Sequence, residues 1–395
     1  MALGIYIHIP YCLQKCHYCD FMTLPLDHEM GMAQYKELLL AELRSRAHRL
    51  LPNQIQSIYF GGGTPSLMPA SDILALRNEL ANVGFEIQPN AEISLEINPG
   101  TLNDEKLDFY LAAGVNRFSV GVQTFNDSHL KHCGREHSAQ DSRETLSFLK
   151  ERNLNYSFDL LFGLPNQTLQ QLNADLTELL SFSPNHVSIY NLTVPPKHPM
   201  NRHRAGDLVQ VEMFDLIDRR LSEGGIFRYE LSNFSRPGFE SSHNSLYWSD
   251  SAYWGLGISA HSYLPHAGPW GTRFWNPASH RQYISQIQAL SRGDEPFYLL
   301  LPKNQMELLQ QHEALTDYCH THLRMLRGLC LSDLQEKFSA PVSEVVRQRL
   351  EKLVLSGHLD RTQERYRLSS RGLPLANQIF LELTFLPEDI IASPH

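Results

Sequence analysis

The sequence predicts an α/β fold built on a parallel sheet, and two observations predict it. Apolar runs of strand length alternate with amphipathic helical patterns through the first half of the chain. Such alternation implies parallel strands joined by right-handed crossovers. The polar motifs lie where a strand hands over to its loop, at the carboxyl end, which is the functional edge of barrels and open α/β sheets.

The first strand runs through Tyr6-Ile7-His8-Ile9 and stops at Pro10, which cannot donate to a ladder. Residues 30–50, rich in Ala, Leu, Glu, Lys and Arg, predict a helix with Pro52 just beyond it. Strands are expected at 55–60, 91–97, 115–122, 155–162 and 186–192, with helices between them at 71–82, 103–113, 139–152 and 168–181. Counting the first strand, this makes six strand–helix alternations. From Pro195 to Pro302 the pattern turns irregular and aromatic, with one clear helix at 207–224 and a strand at 227–231. Helices then follow at 307–326, 331–338 and 343–356, a hairpin spans 361–371, and a last helix covers 373–383. Two helices followed by a hairpin wing resemble a winged helix. The expected domains are therefore 1–195, the α/β core; 196–305, an extension of it; and 306–395, the winged-helix-like domain.

Composition narrows the function. With 42% hydrophobic and 19% charged residues the chain reads as an ordinary globular protein. A net charge of −9 and the absence of a basic recognition face argue against nucleic acid. No run approaches the roughly 18 apolar residues of a membrane span, and no signal peptide is visible. A cytoplasmic location is the expectation, with peripheral membrane contact left open. Six cysteines are too few for a disulfide scaffold, and Cys133, Cys319 and Cys330 read as buried free thiols.

The other three follow the first strand as Cys12-x3-Cys16-x2-Cys19. Three thiolates on one short loop can wrap an iron–sulfur cluster and leave one iron open, since a cubane normally takes four cysteines. A structural zinc is the alternative, although closed zinc sites want four protein ligands; His17 is a fourth donor of poor reach. Gly61-Gly62-Gly63-Thr64-Pro65 ends the second strand, where glycine lets backbone approach a ligand closely. Glu96 is a carboxylate in an apolar strand and needs a partner, either a cationic ligand or Arg117. Gln123, Arg135 and Asp159 are the polar groups of the later strand ends and their loops.

Together these residues resemble the radical S-adenosylmethionine (SAM) superfamily, and within it the coproporphyrinogen III dehydrogenases and the related HemW-type heme chaperones. The resemblance implies a partial (β/α)6 radical-SAM barrel, open on one side, carrying a C-terminal winged-helix-like domain. It implies a [4Fe–4S] cluster on Cys12, Cys16 and Cys19, whose fourth iron is chelated by SAM. It implies SAM contacts at Tyr6, Tyr18, Gly62, Gly63, Thr64, Glu96, Gln123, Arg135 and Asp159. One electron passed through such a cluster cleaves SAM to a 5′-deoxyadenosyl radical, chemistry that belongs to the cofactors.

His243-Asn244-Ser245-Leu246-Tyr247-Trp248 matches the His-Asn-x-x-Tyr-Trp stretch of the HemW-type branch. The likeness implies a heme site at His243, Asn244, Tyr247 and Trp248, with His261 a second candidate ligand; a hydrogen-bonded loop histidine beside packed aromatics is the alternative. The dehydrogenases carry a further cysteine where this chain has Phe21, and a longer segment before the first strand. The expectation is thus a heme chaperone that passes heme to apo-hemoproteins and takes electrons from a low-potential donor. Reductive SAM cleavage stays open, no catalytic residue is assigned, and a coproporphyrinogen III dehydrogenase or a metal-stapled binding module are the alternatives.

Overall fold

The computed structural model describes residues 2–50, 54–289 and 301–391; Pro52 lies outside them. Strand β1 (Ala2–Ile9) buries Leu3, Ile5, Ile7 and Ile9 on one face and turns Gly4, Tyr6 and His8 to the other, the alternation of a pleated strand. It pairs in parallel with β2 (Gln54–Gly62), and the parallel order continues through β3 (Glu86–Ile97), β4 (Arg117–Gln123), β5 (Tyr156–Phe162) and β6 (His186–Asn191). Between them run α1 (Met32–Arg46), α2 (Ala70–Asn82), α3 (Asp104–Ala112), the short α4 (Asp127–His132), α5 (Ala139–Glu151) and α6 (Leu169–Ser181). Capping boxes start two of these helices: Ser138 with Asp141 opens α5, and Thr168 with Gln171 opens α6. Their apolar stripes, Leu146 and Leu149 or Leu172, Leu176 and Leu179, are buried in the main core. The expected parallel α/β fold is what forms.

The sheet stays open. After α7 (Asp207–Glu223), the short strands β7 (Phe227–Arg228) and β8 (Asn233–Ser235) run antiparallel beyond β6. The chain then forms helix α8 (Ser242–Tyr247) and returns to the opposite edge as β9 (Ala252–Leu256), parallel to β1. Strands β10 (His261–Leu264) and β11 (Thr272–Trp275) follow, then helix α9 (His280–Ala289) and β12 (Met306–Leu308). Among the described residues the strand order of this twelve-stranded sheet is β12-β11-β10-β9-β1-β2-β3-β4-β5-β6-β8-β7.

Several elements depart from expectation. The strand expected at 227–231 ends at Arg228, because the Glu230 carboxylate turns the chain by accepting from the Ser232 N–H. Strands β9–β11 were hidden in the irregular stretch, being only four or five residues long. The helix expected to begin at 307 begins at Gln311, because 306–308 pair with β11 and Gln310 caps the helix with Glu313. That helix, α10 (Gln311–Arg324), leads through β13 (Leu329–Cys330) to α11 (Leu331–Phe338), α12 (Ala340–Leu355) and the hairpin β14 (Leu359–Thr362) and β15 (Arg365–Leu368). Helix, helix and wing form as read, around their own cluster of Leu315, Leu323, Phe338, Val346, Leu350 and Tyr366. No helix among the described residues is long and apolar enough to cross a membrane.

One buried ion pair fixes the β1–β9 side. Glu42 and Arg46, one helical turn apart on α1, are 0% and 1% exposed. Glu42 Oε2 accepts from the Gly257 N–H at 2.9 Å and the Tyr283 hydroxyl at 2.6 Å, and its other oxygen from Asn276 at 2.8 Å. The loop after β9 is thereby tied to both α1 and α9. Glu42→Ala leaves a guanidinium buried without its carboxylate and is expected to lower stability by about 3–5 kcal/mol, read by urea denaturation; Glu42→Gln should lose less.

Candidate functional site

Two turns meet at the carboxyl edge of β1 and β2. The cysteine loop leaves β1 at Pro10, and a two-residue parallel bridge between Tyr11–Cys12 and Leu24–Pro25 closes its base. The glycine turn leaves β2 and is bonded to that base, the Gly63 N–H donating to the Ile9 carbonyl at 2.8 Å. A Cβ on Gly63 would lie 2.6 Å from the Pro10 carbonyl oxygen, so only glycine permits this approach. Gly62 has φ of +117°, a region open to glycine, and packs directly on the His8 ring.

A cavity of about 570 Å³ opens between these turns and the ends of β3–β6. Cys12, Cys16 and Cys19 line it, together with Tyr18, Gly62, Gly63, Thr64, Glu96, Gln123, Arg135 and Asp159. Sequence-predicted groups from five separate segments therefore share one space. Tyr6 does not join them: its ring stacks behind Tyr59 at 6.2 Å and its hydroxyl bonds His8 Nδ1 at 2.9 Å.

The thiols fit a metal cluster in their surroundings. None of the three is in a disulfide. The Thr64 hydroxyl donates to Cys12 Sγ at 3.7 Å and Arg135 Nη1 to Cys16 Sγ at 3.5 Å, contacts that favour thiolates and bonded sulfur. Burial otherwise pushes the Cys12 thiol up to about 11, so metal must displace its proton. Among the described residues no three His, Cys, Asp or Glu groups, the three cysteines included, converge on a single point. His17, the one nearby extra donor, turns its Nδ1 to the His132 carbonyl at 2.9 Å.

The opposite wall is acidic. Glu96 does not pair with Arg117; it accepts from the Tyr59 hydroxyl at 2.9 Å and the Gly62 N–H at 3.0 Å, while Arg117 pairs with Glu92 at 3.6 Å. Burial, and then the nearby Asp159 charge, raise the Glu96 carboxyl to about 7. Asp159 is raised by burial to about 6, opposed by bonds from Ser188 and Ser119 and by Arg135 and Arg117. Among the described residues neither carboxyl makes an ion pair, although Arg135 and Arg117 are near enough to act on Asp159. Arg135 is held by Asn98 and by the Gly121 carbonyl at 2.9 Å, leaving one arm toward Cys16. Gln123 has φ of +65° where the β4–β5 register slips, a strained strand end that turns its side chain to the cavity.

Of the heme residues expected from the sequence, only Asn244 lines the cavity. His243 is 1% exposed, with Nδ1 on the Ser57 hydroxyl at 2.8 Å and Nε2 on the Tyr247 hydroxyl at 2.9 Å. Both ring nitrogens are thus engaged by protein groups in the interior. Trp248 lies against the Arg324 guanidinium, 4.3 Å away. His261 is exposed, stacks on Trp275 at 5.5 Å, and has no hydrogen bond to its ring nitrogens among the described residues. Sequence reasoning missed His8, which carries Tyr6 on one nitrogen and the Met22 carbonyl on the other, and Tyr59, which holds Glu96. Their signal was the inward parity of β1 and β2, legible once Gly62 and Tyr6 were placed.

The comparisons agree with this geometry. The Radical SAM superfamily profile matches residues 6–179, and the HemN C-terminal domain matches residues 309–375. A protein of Synechocystis sp. named heme chaperone HemW is 37% identical over 74% of this chain and 73% of its own length. Proteins of the same name from Lactococcus lactis and Bacillus subtilis are 30% and 31% identical, covering 98% and 95% of this chain and 97% of each relative. The solved coproporphyrinogen III oxidase (HemN) of Escherichia coli superposes with a TM-score of 0.80 over 97% of this chain and 90% of that one; at 21% identity it speaks for the fold. With end-to-end relatives at this identity, the chain belongs to the HemW-type branch of the radical SAM superfamily.

Proposed function

We propose that this chain is a heme chaperone: it holds an iron–sulfur cluster on Cys12, Cys16 and Cys19, binds SAM in the adjoining cavity, and binds heme for transfer to apo-hemoproteins. The observation that carries the reading is the end-to-end relationship to proteins named heme chaperones, against a likeness of fold alone to the oxidase. Phe21, 64% exposed on the cysteine loop, occupies the position at which the resemblance implies a further cysteine in the dehydrogenases.

The chain's own groups suit these ligands. A cationic aminoacyl sulfonium would supply the positive charge that Glu96 and Asp159 lack, and Arg135 would face its carboxylate. When bound, the cluster supplies a single electron at low potential; the surrounding side chains exclude water and orient the nucleotide. Leu13 and Phe21, both exposed at the cavity edge, offer apolar faces to a macrocycle. Of the two candidate histidines, His261 presents the accessible imidazole. A low-potential electron donor completes the system.

Four measurements test this. Changing Cys12, Cys16 and Cys19 together to Ala should remove the bound iron and the brown absorbance of the reconstituted protein; unchanged iron would end the cluster assignment. Below about pH 7 the Glu96 proton must leave when a cation binds. SAM affinity should therefore rise by up to about tenfold per pH unit on that side and level off above it, and Glu96→Gln should flatten the rise. Heme titration followed at the Soret band should weaken in His261→Ala, whereas His243→Leu should chiefly lower stability. Anaerobic incubation with SAM, reductant and coproporphyrinogen III should leave that substrate unaltered; protoporphyrinogen would instead mark a dehydrogenase.

A further inference from the structure

The His243–Trp248 segment is half-buried, with His243 and Leu246 fully so, and its contacts run inward toward the cavity. Glu92 of β3 accepts from the Ser241 hydroxyl and from the Ser242 and His243 N–H groups, each at 3.0 Å, and so pins the start of α8 inside the barrel. Gly4 of β1 makes the room: a Cβ there would lie 2.6 Å from Leu246 Cδ1. From this position the His243 ring stacks on Tyr59 at 5.1 Å, with 24° between the planes. Tyr59 in turn donates to Glu96. Asn244, the next residue, reaches the cavity wall, and its side-chain amide has no protein partner among the described residues.

We propose that this segment is the back wall of the SAM cavity: Asn244 contacts the bound nucleotide, and His243 is a positioning residue that holds Glu96 through Tyr59. The inference rests on the SAM reading of the cavity. It accounts for what axial ligation of heme does not, namely a histidine with both nitrogens satisfied inside the barrel and a neighbouring asparagine that lines the cavity. Ser57 fixes the ring plane from β2, the same strand that carries Tyr59 and the glycine turn. A change at His243 is therefore felt two contacts away, at the carboxylate.

The test uses the full-length protein, reconstituted anaerobically, with SAM binding measured by equilibrium dialysis alongside iron content and a heme titration. Asn244→Ala is expected to weaken SAM binding about 5- to 10-fold, the effect of one lost hydrogen bond in a partly closed site. His243→Gln and Tyr59→Phe should each weaken it about 3- to 10-fold with iron content unchanged. Their double variant should be no weaker than the worse single, because both act along one chain of contacts. Iron-replete variants that bind SAM within twofold of wild type would overturn the proposal, as would His243→Gln losing only heme binding. If His243→Gln does not fold, Asn244→Ala and Tyr59→Phe decide by the same criteria. Wild type that carries its cluster and binds no SAM would end the cavity reading itself, and this inference with it.

Discussion

The close approach of two backbone turns governs the rest of this molecule. Parallel pairing of β1 with β2 brings Pro10 and Gly63 together at the carboxyl edge, where a single methyl group would separate them. Three thiols hang from one turn, and the Gly62 N–H that anchors Glu96 belongs to the other. A displacement of either turn would move the sulfurs relative to the acidic wall. Rigidity here comes from strands buried on both faces, whose register cannot slip by one residue without exchanging the core face for the lumen face.

Charge is distributed across the cavity with similar economy. Arg135 serves the cysteine side and is tethered by carbonyl and amide oxygens, while Glu96 and Asp159 sit on the far side with raised pKa values and make no ion pair among the described residues. Two carboxyls held in this way destabilise the empty protein near neutral pH and favour a ligand that brings positive charge. The cost is met by the surrounding fold, in which the Glu42–Arg46 network and its backbone contacts keep the loop after β9 against α1.

The segment between barrel and C-terminal domain joins both. Its helix α8 starts on Glu92 inside the sheet, and its end at Trp248 lies against Arg324 of α10, which also reaches Glu230 at 3.1 Å. Asp250, just beyond, bonds Tyr263 and Lys337, so a second polar tie joins the same two regions. The winged-helix-like domain thus meets the barrel through arginine and lysine side chains paired with acidic or aromatic partners. Those two cations, Arg324 and Lys337, are paired within the molecule.

By itself the sequence determined the alternation of β1–β6 with their helices, the two helices and wing at the C-terminus, and the cysteine and glycine turns. These are written in local periodicity, breakers and spacing, which need no distant partner to be legible. The short strands β9–β11 were not legible, because four or five residues carry too little pattern and their pairing depends on β1. Only the tertiary structure decided that Glu96 answers to Tyr59 and Gly62 and not to Arg117, that Tyr6 stands behind the cavity, and that His243 faces inward while His261 faces out. Each of those outcomes is set by which side of the sheet a residue faces and which segment is folded against it. That is a property of contacts between residues dozens to nearly two hundred positions apart, such as Ser57 with His243.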